Sequence, residues 1–197
     1  MKQSREIVFA TNNAHKLAEI RKIMGQEWSV LSLAEIGCDA DIVETADTLQ
    51  GNAEIKARYV KEHYGYDCFA DDTGLLVDAL NGAPGVYSAR YAGDNHDSAA
   101  NMALLLKNMN GETNRKAHFS TVIALVMGED IYFFEGRVDG EILESEEGTE
   151  GFGYDPIFRP EGCEGSFATM SSEAKNAISH RGRATAKLID FLITKSR

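Results

Sequence analysis

The sequence predicts an α/β fold with a mixed β-sheet, and three observations carry that prediction. Residues 7–10 (IVFA) form an apolar run that passes through a short polar loop, TNNAHK, straight into a helical pattern. Residues 117–127 and 131–137 are two strand-like runs on either side of Gly128-Glu129-Asp130, the mark of a hairpin. Helical patterns lie between the strand-like runs without alternating strictly with them. A strand-to-helix opening implies a parallel neighbour and a hairpin is antiparallel, so the sheet is mixed rather than doubly wound. The chain has 197 residues, enough for one domain with a sizeable core, and residues 1–197 read as a single domain.

Each element has a local reason. The run at 7–10 is apolar throughout, as a buried strand should be. Leu17, Ile20, Ile23 and Met24 then recur at helical spacing, and Gly25 is placed to stop that helix. This unit leaves free backbone N–H groups at the helix start, suited to an anion. Residues 48–63 set Leu49, Ala53, Ile55, Lys56, Tyr59 and Val60 in a second helical pattern, ended by Gly65. Residues 68–70 form a short strand running into Asp71-Asp72-Thr73-Gly74, and residues 75–80 fit strand or helix equally. NGAPG at 81–85 is a turn. Residues 98–109 place Met102, Leu105, Leu106 and Met109 on one helical face. Residues 138–143 extend the sheet, 148–156 are glycine-rich loop, and 183–193 form a final helix.

Charge and composition narrow the function. The chain carries 20 Lys plus Arg against 31 Asp plus Glu, a formal charge of −11. Such an acid excess argues against general nucleic-acid binding, which needs a basic face. A phosphorylated small molecule stays open, because a few gathered cations or a divalent metal reverse the local field. No stretch approaches the roughly 18 apolar residues of a membrane helix, and the N-terminal apolar run is too short for a signal-peptide core. Cys38, Cys68 and Cys163 are far apart and form no CxxC pair, so a disulfide framework or structural zinc is not expected and a reducing cytoplasm fits better.

Five segments hold groups capable of chemistry, and each also has an ordinary structural explanation. Asp71 and Asp72 follow an apolar strand, where hard carboxylate oxygens suit magnesium. Neighbouring side chains in a strand point to opposite faces, so one of the pair would face a site; a polar strand-ending turn explains the motif as well. Asp39, Asp41 and Glu44 offer a second carboxylate, or simply a solvated acidic loop. TNNAHK supplies short polar groups, loop amides and the point charge of Lys16 for phosphate, or an N-cap loop whose lysine faces water. It is not a P-loop, because GxxxxGK[ST] is absent. EGFGYDPIF at 150–158 offers Phe152 or Tyr154 for stacking on a base and Asp155 as a hydrogen-bond acceptor, or a rigid turn with buried rings. Lys175, Ser179, His180, Arg181 and Arg183 crowd the start of the last helix, where the dipole disfavours cations unless an anion binds; a solvated basic turn is the plain alternative.

Taken in order, TNNAHK, ADDTGL at 70–75, GAPGVYSARYAG at 82–93, GFGYDPIF at 151–158 and AISHRGRA at 177–184 closely resemble the inosine triphosphate pyrophosphatase family, whose members act on dITP, ITP and XTP. The resemblance runs from about Ile7 to Phe191. It implies an elongated mixed sheet flanked by helices, in two lobes with a central cleft. It also implies a cytoplasmic homodimer that uses Mg2+ and binds neither nucleic acid nor membrane. By position, Thr11, Asn12, Asn13, Ala14, His15 and Lys16 would meet the triphosphate. Asp72 would be the catalytic acceptor and a metal ligand, with Glu44 as second metal ligand, and Thr73 would touch the substrate. Phe152, Gly153, Tyr154 and Asp155 would hold the nucleoside, and Lys175, His180 and Arg181 would complete the base and phosphate contacts. The chain departs from the family pattern at Val43-Glu44, where many members carry two acids, at Gln50, where Glu is frequent, and at Thr73, where Ser is frequent.

The implied reaction is attack of water on the α-phosphorus with loss of pyrophosphate. Lysines and magnesium would stabilise the phosphoryl charge, and Asp72 would orient or deprotonate the water. Hypoxanthine and xanthine present a 6-oxo acceptor, so a donor such as the His180 ring or a loop amide would favour them over adenine. Two other readings compete: a pyrophosphatase for modified pyrimidine or methylated nucleotides, and a nucleotide-binding module without hydrolysis.

Overall fold

The computed structural model describes residues 5–195. Seven strands and five helices follow the order β1 (Arg5–Phe9), α1 (Ala14–Met24), β2 (Trp28–Leu31), α2 (Leu49–Tyr64), β3 (Cys68–Val77), β4 (Pro84–Gly85), α3 (Ser98–Asn108), β5 (Lys116–Met127), β6 (Asp130–Ile142), β7 (Phe158–Pro160), α4 (Ser172–Ile178) and α5 (His180–Lys195). The sheet has the order β2-β1-β3-β5-β6-β7, with β4 on β3. It is mixed: β1 runs parallel to β2 and β3, whereas β4 is antiparallel to β3 and β7 to β6. The chain divides into two compact units, 1–72 with 121–135 and 184–197, and 73–120 with 136–183.

In the first unit, strand alternation sorts the core into two layers. Ile7 and Phe9 of β1, Phe69 of β3 and Ile123 and Leu125 of β5 pack with Ile20 and Met24 of α1 and Leu188 and Leu192 of α5. The intervening residues Val8, Cys68, Ala70, Ala124 and Val126 pack with Ala53, Ala57 and Val60 of α2. The small residues of α2 let its backbone come close to the sheet. In the second unit, one core joins Leu75 and Val77 of β3, Met102, Leu105 and Met109 beside α3, Phe119, and Tyr154, Phe158 and Phe167.

The helix signals act as the sequence predicts. Asn13 caps α1 and Gly25 ends it, while Thr48 caps α2 and Gly65 ends it in a left-handed conformation, φ 79°. Several elements differ. Strand β3 does not stop at residue 70 but continues through the two aspartates to Val77, because Leu75 and Val77 again bury their side chains. A 3-10 turn follows at Asp78–Leu80. Residues 138–143 are not a separate extension, since β6 runs unbroken from Asp130 to Ile142. Strands β2 and β7 and helix α4 lie where the sequence predicts no element, and α5 starts at His180 rather than 183. Among the described residues, no helix is long and apolar enough to cross a membrane.

Candidate active site

The first unit gathers two lysines and three carboxylates around β3. Asn13 accepts from the backbone N–H groups of His15 (3.0 Å) and Lys16 (3.2 Å), and its own N–H donates to the Thr11 hydroxyl (3.1 Å). This Asx cap fixes the start of α1 and sets the direction of Lys16. Lys16 Nζ donates to Asp71 Oδ1 at 3.0 Å, so it does not simply face water. Asn12, Asn13, Ala14 and His15 are exposed and Thr11 is half-buried.

Asp71 and Asp72 lie inside β3, not at its end as the short strand at 68–70 implied. Pleating therefore separates them. Asp71 shares the side of Phe69 and meets Lys16 of α1, while Asp72 shares the side of Ala70 and meets α2. Asn52 Nδ2 donates to Asp72 Oδ2 at 3.1 Å, and Lys56 Nζ donates to the Asp71 carbonyl at 2.7 Å while pairing with Glu44. Burial raises the Asp72 pKa. The charges of Lys56 and Lys16 oppose that shift, the charge of Glu44 adds to it, and the Asn52 hydrogen bond opposes it.

The same residues bear on magnesium. No group of three or more His, Cys, Asp or Glu arranged to hold a metal exists among the described residues. Magnesium, however, is usually held by one or two carboxylates together with substrate phosphates and water. Asp72 and Glu44 lie close enough for one charge to raise the pKa of the other. A divalent cation would offset both that repulsion and the burial of Asp72. The donor set fits.

The second unit gathers aromatic rings and buried cations. Asp155 is buried, and its Oδ2 accepts from the Phe152 N–H (2.8 Å) and from Lys175 Nζ (2.8 Å). The loop needs Gly151, at φ +77°, because a Cβ there would overlap the Asp155 carboxylate. Lys175 Nζ lies 4.8 Å from the Phe152 ring centroid and Arg181 Cζ 5.4 Å from it, both within cation–π range. Arg181 also donates to the Thr73 hydroxyl at 3.3 Å. The His180 ring stacks on Phe119, centroids 4.5 Å apart. Lys175, His180 and Arg181 are 4%, 4% and 2% exposed, which removes the solvated basic turn as an explanation for these three, while Arg183 of the same cluster is exposed. Tyr154 is part of the core, and its hydroxyl donates to the Ser88 carbonyl at 2.6 Å. Burial raises its pKa.

Known proteins resemble this chain over nearly its whole length. Residues 7–191 match the Ham1 family. The chain belongs to that family. A dITP/XTP pyrophosphatase of Flavobacterium johnsoniae is 54% identical over 95% of this chain and 97% of its own length. One of Porphyromonas gingivalis is also 54% identical, over 95% and 97%. The solved structure of the Staphylococcus aureus Ham1 protein superposes with a TM-score of 0.88 at 39% identity, covering 97% of this chain and all of that one.

Two polar residues of this Ham1 chain join the site without having been singled out in the sequence. Asn52 and Lys56 stand one turn apart on the face of α2 that also carries Ala53, Ala57 and Val60. A buried amide and a lysine within a small-residue stripe were the available signal, since such groups need partners. Helix periodicity accounts for Lys56 as spacing and leaves Asn52 outside the pattern.

Proposed function

We propose that this protein hydrolyses the deaminated purine nucleoside triphosphates dITP, ITP and XTP, with dXTP, to the monophosphate and pyrophosphate, and so clears them from the nucleotide pool. Family membership and the name shared by relatives at 54% identity support the reading. The observation that carries it is Asp72: a buried carboxylate with a raised pKa, under the charge of two lysines, on a strand interior.

Lys16 and Lys56 neutralise phosphate oxygens and the charge that grows on them as the anhydride bond breaks. Asp72 orients the attacking water and accepts its proton. Thr73 and Arg181 contact the substrate from their shared hydrogen bond. Phe152 offers a ring face to the base, in a loop braced by the Asp155–Lys175 pair. The His180 ring donates to the 6-oxo group, which adenine lacks. Asp72 and Glu44 would hold Mg2+, which supplies charge neutralisation on the phosphates. The same reading takes the protein as a cytoplasmic homodimer, to be checked by light scattering.

The test is product analysis with dITP and magnesium, alongside XTP, dATP and dUTP. Pyrophosphate plus dIMP, with dATP and dUTP turned over at least tenfold more slowly, is expected. Orthophosphate plus dIDP would make the protein a phosphatase, preference for dUTP a pyrimidine enzyme, and no turnover a binding module.

A further inference from the structure

Asn52 is fully buried in the first turns of α2, yet it carries an amide with two polar ends to satisfy. Its Oδ1 accepts the backbone N–H of Ala46 at 2.9 Å, and its Nδ2 donates to Asp72 Oδ2 at 3.1 Å. The two partners fix the amide's orientation: an N–H can only donate and an ionised carboxylate can only accept. Ala46 lies two residues after Glu44, on the segment without regular structure that precedes the helix. Gly51 allows the segment to lie so close, since a Cβ there would stand 2.6 Å from the Ala46 Cβ. One side chain therefore ties the segment that carries Glu44 to the carboxylate of Asp72.

We infer that Asn52 is a positioning residue that holds Asp72 and the Glu44 segment in the mutual placement needed to bind a divalent cation. The inference rests on the function proposed above, for which Asp72 and Glu44 are the metal-holding pair. The amide suits the task better than other side chains. A carboxylate would repel Asp72, an apolar residue would leave the Ala46 N–H and one Asp72 oxygen without this partner, and a hydroxyl is too short to span both. Outer hydrogen-bond partners of metal ligands typically govern affinity or activity by 10- to 100-fold.

The experiment compares the full chain with Asn52→Ala and Asn52→Asp. Mn2+ binding is followed by electron paramagnetic resonance without nucleotide, and kcat and KM for dITP are measured with magnesium. Asn52→Ala severs both arms and is expected to weaken Mn2+ binding about tenfold and to lower kcat 10- to 100-fold, with KM changed less than about threefold. Asn52→Asp keeps an acceptor for Ala46 but replaces the donor to Asp72 with a carboxylate that repels it; its kcat is expected to fall at least about tenfold in a folded protein. If Asn52→Ala fails to fold, Asn52→Asp decides alone. Native kcat in a folded variant, or loss of activity in both variants that follows unfolding alone, overturns the inference. Absence of pyrophosphate release by the unaltered chain would instead defeat the functional reading, while a weakened Mn2+ site in Asn52→Ala would still stand.

Discussion

Asp71 and Asp72 are adjacent in the chain but answer to different helices: Asp71 pairs with Lys16 of α1, and Asp72 takes its hydrogen bond from Asn52 of α2. The two-residue period of β3 makes this division. It gives the Asp71 side chain an ion pair with Lys16 and the Asp72 side chain a hydrogen bond from Asn52, so one dipeptide presents its two carboxylates to different neighbours.

The raised pKa of Asp72 makes its charge a cost to the metal-free fold. A carboxylate whose folded pKa lies above its unfolded value contributes stability below the ordinary range near ~3.9, and that contribution is lost as pH rises through the folded value. Asp72→Asn removes this loss. In EDTA at neutral pH the variant is expected to melt a few degrees above the unaltered chain, with the difference shrinking toward pH ~4. Its turnover is expected to fall about 10²- to 10⁴-fold, the usual worth of a positioned acid–base group. A variant that melts lower at neutral pH, or turns over at a near-normal rate, would contradict this account; scanning calorimetry and a pyrophosphate assay check it.

Lys175 and Asp155 form a pair whose side chains are 5% and 4% exposed. Removing one member takes from a buried charge its ion-pair partner, at about 3–5 kcal/mol. Lys175→Met and Asp155→Asn are each expected to lose stability on that scale in urea unfolding. The double variant should recover more than half of the summed loss, because neither charge is left unmatched. Strict additivity would show that the pair is not coupled.

Tyr154 stands in the motif that resembles a nucleoside-holding loop, yet its ring belongs to the core and its hydroxyl serves Ser88. Tyr154→Phe is expected to cost about 1–3 kcal/mol through the Ser88 carbonyl left unsatisfied. KM for dITP should change less than about threefold, an expectation separate from any cost in stability. A larger rise in KM without loss of stability would make the hydroxyl a substrate contact.

Local pattern settled the helices α1 and α2, whose caps and stops are written in Asn13, Gly25, Thr48 and Gly65, and the β5–β6 turn at Gly128. These features depend on contacts a few residues apart. The continuity of β3 was hidden, because two aspartates in the middle of a buried strand look like its end until Lys16 and Asn52 arrive as partners. The motif residues Lys175, His180 and Arg181 could be read, but not their burial.

By itself, then, the sequence determined which motifs this chain carries and the family they belong to, since those lie in residue identity and spacing. Tertiary structure decided which helix each of two neighbouring aspartates faces, that three basic residues are buried, and that Asn52 and Lys56 reach the aspartates of β3. Lys16 and Asp71 are 55 residues apart and Asn52 and Asp72 are 20 apart. Pairing at such separations comes from the packing of helix against sheet, which no local period encodes.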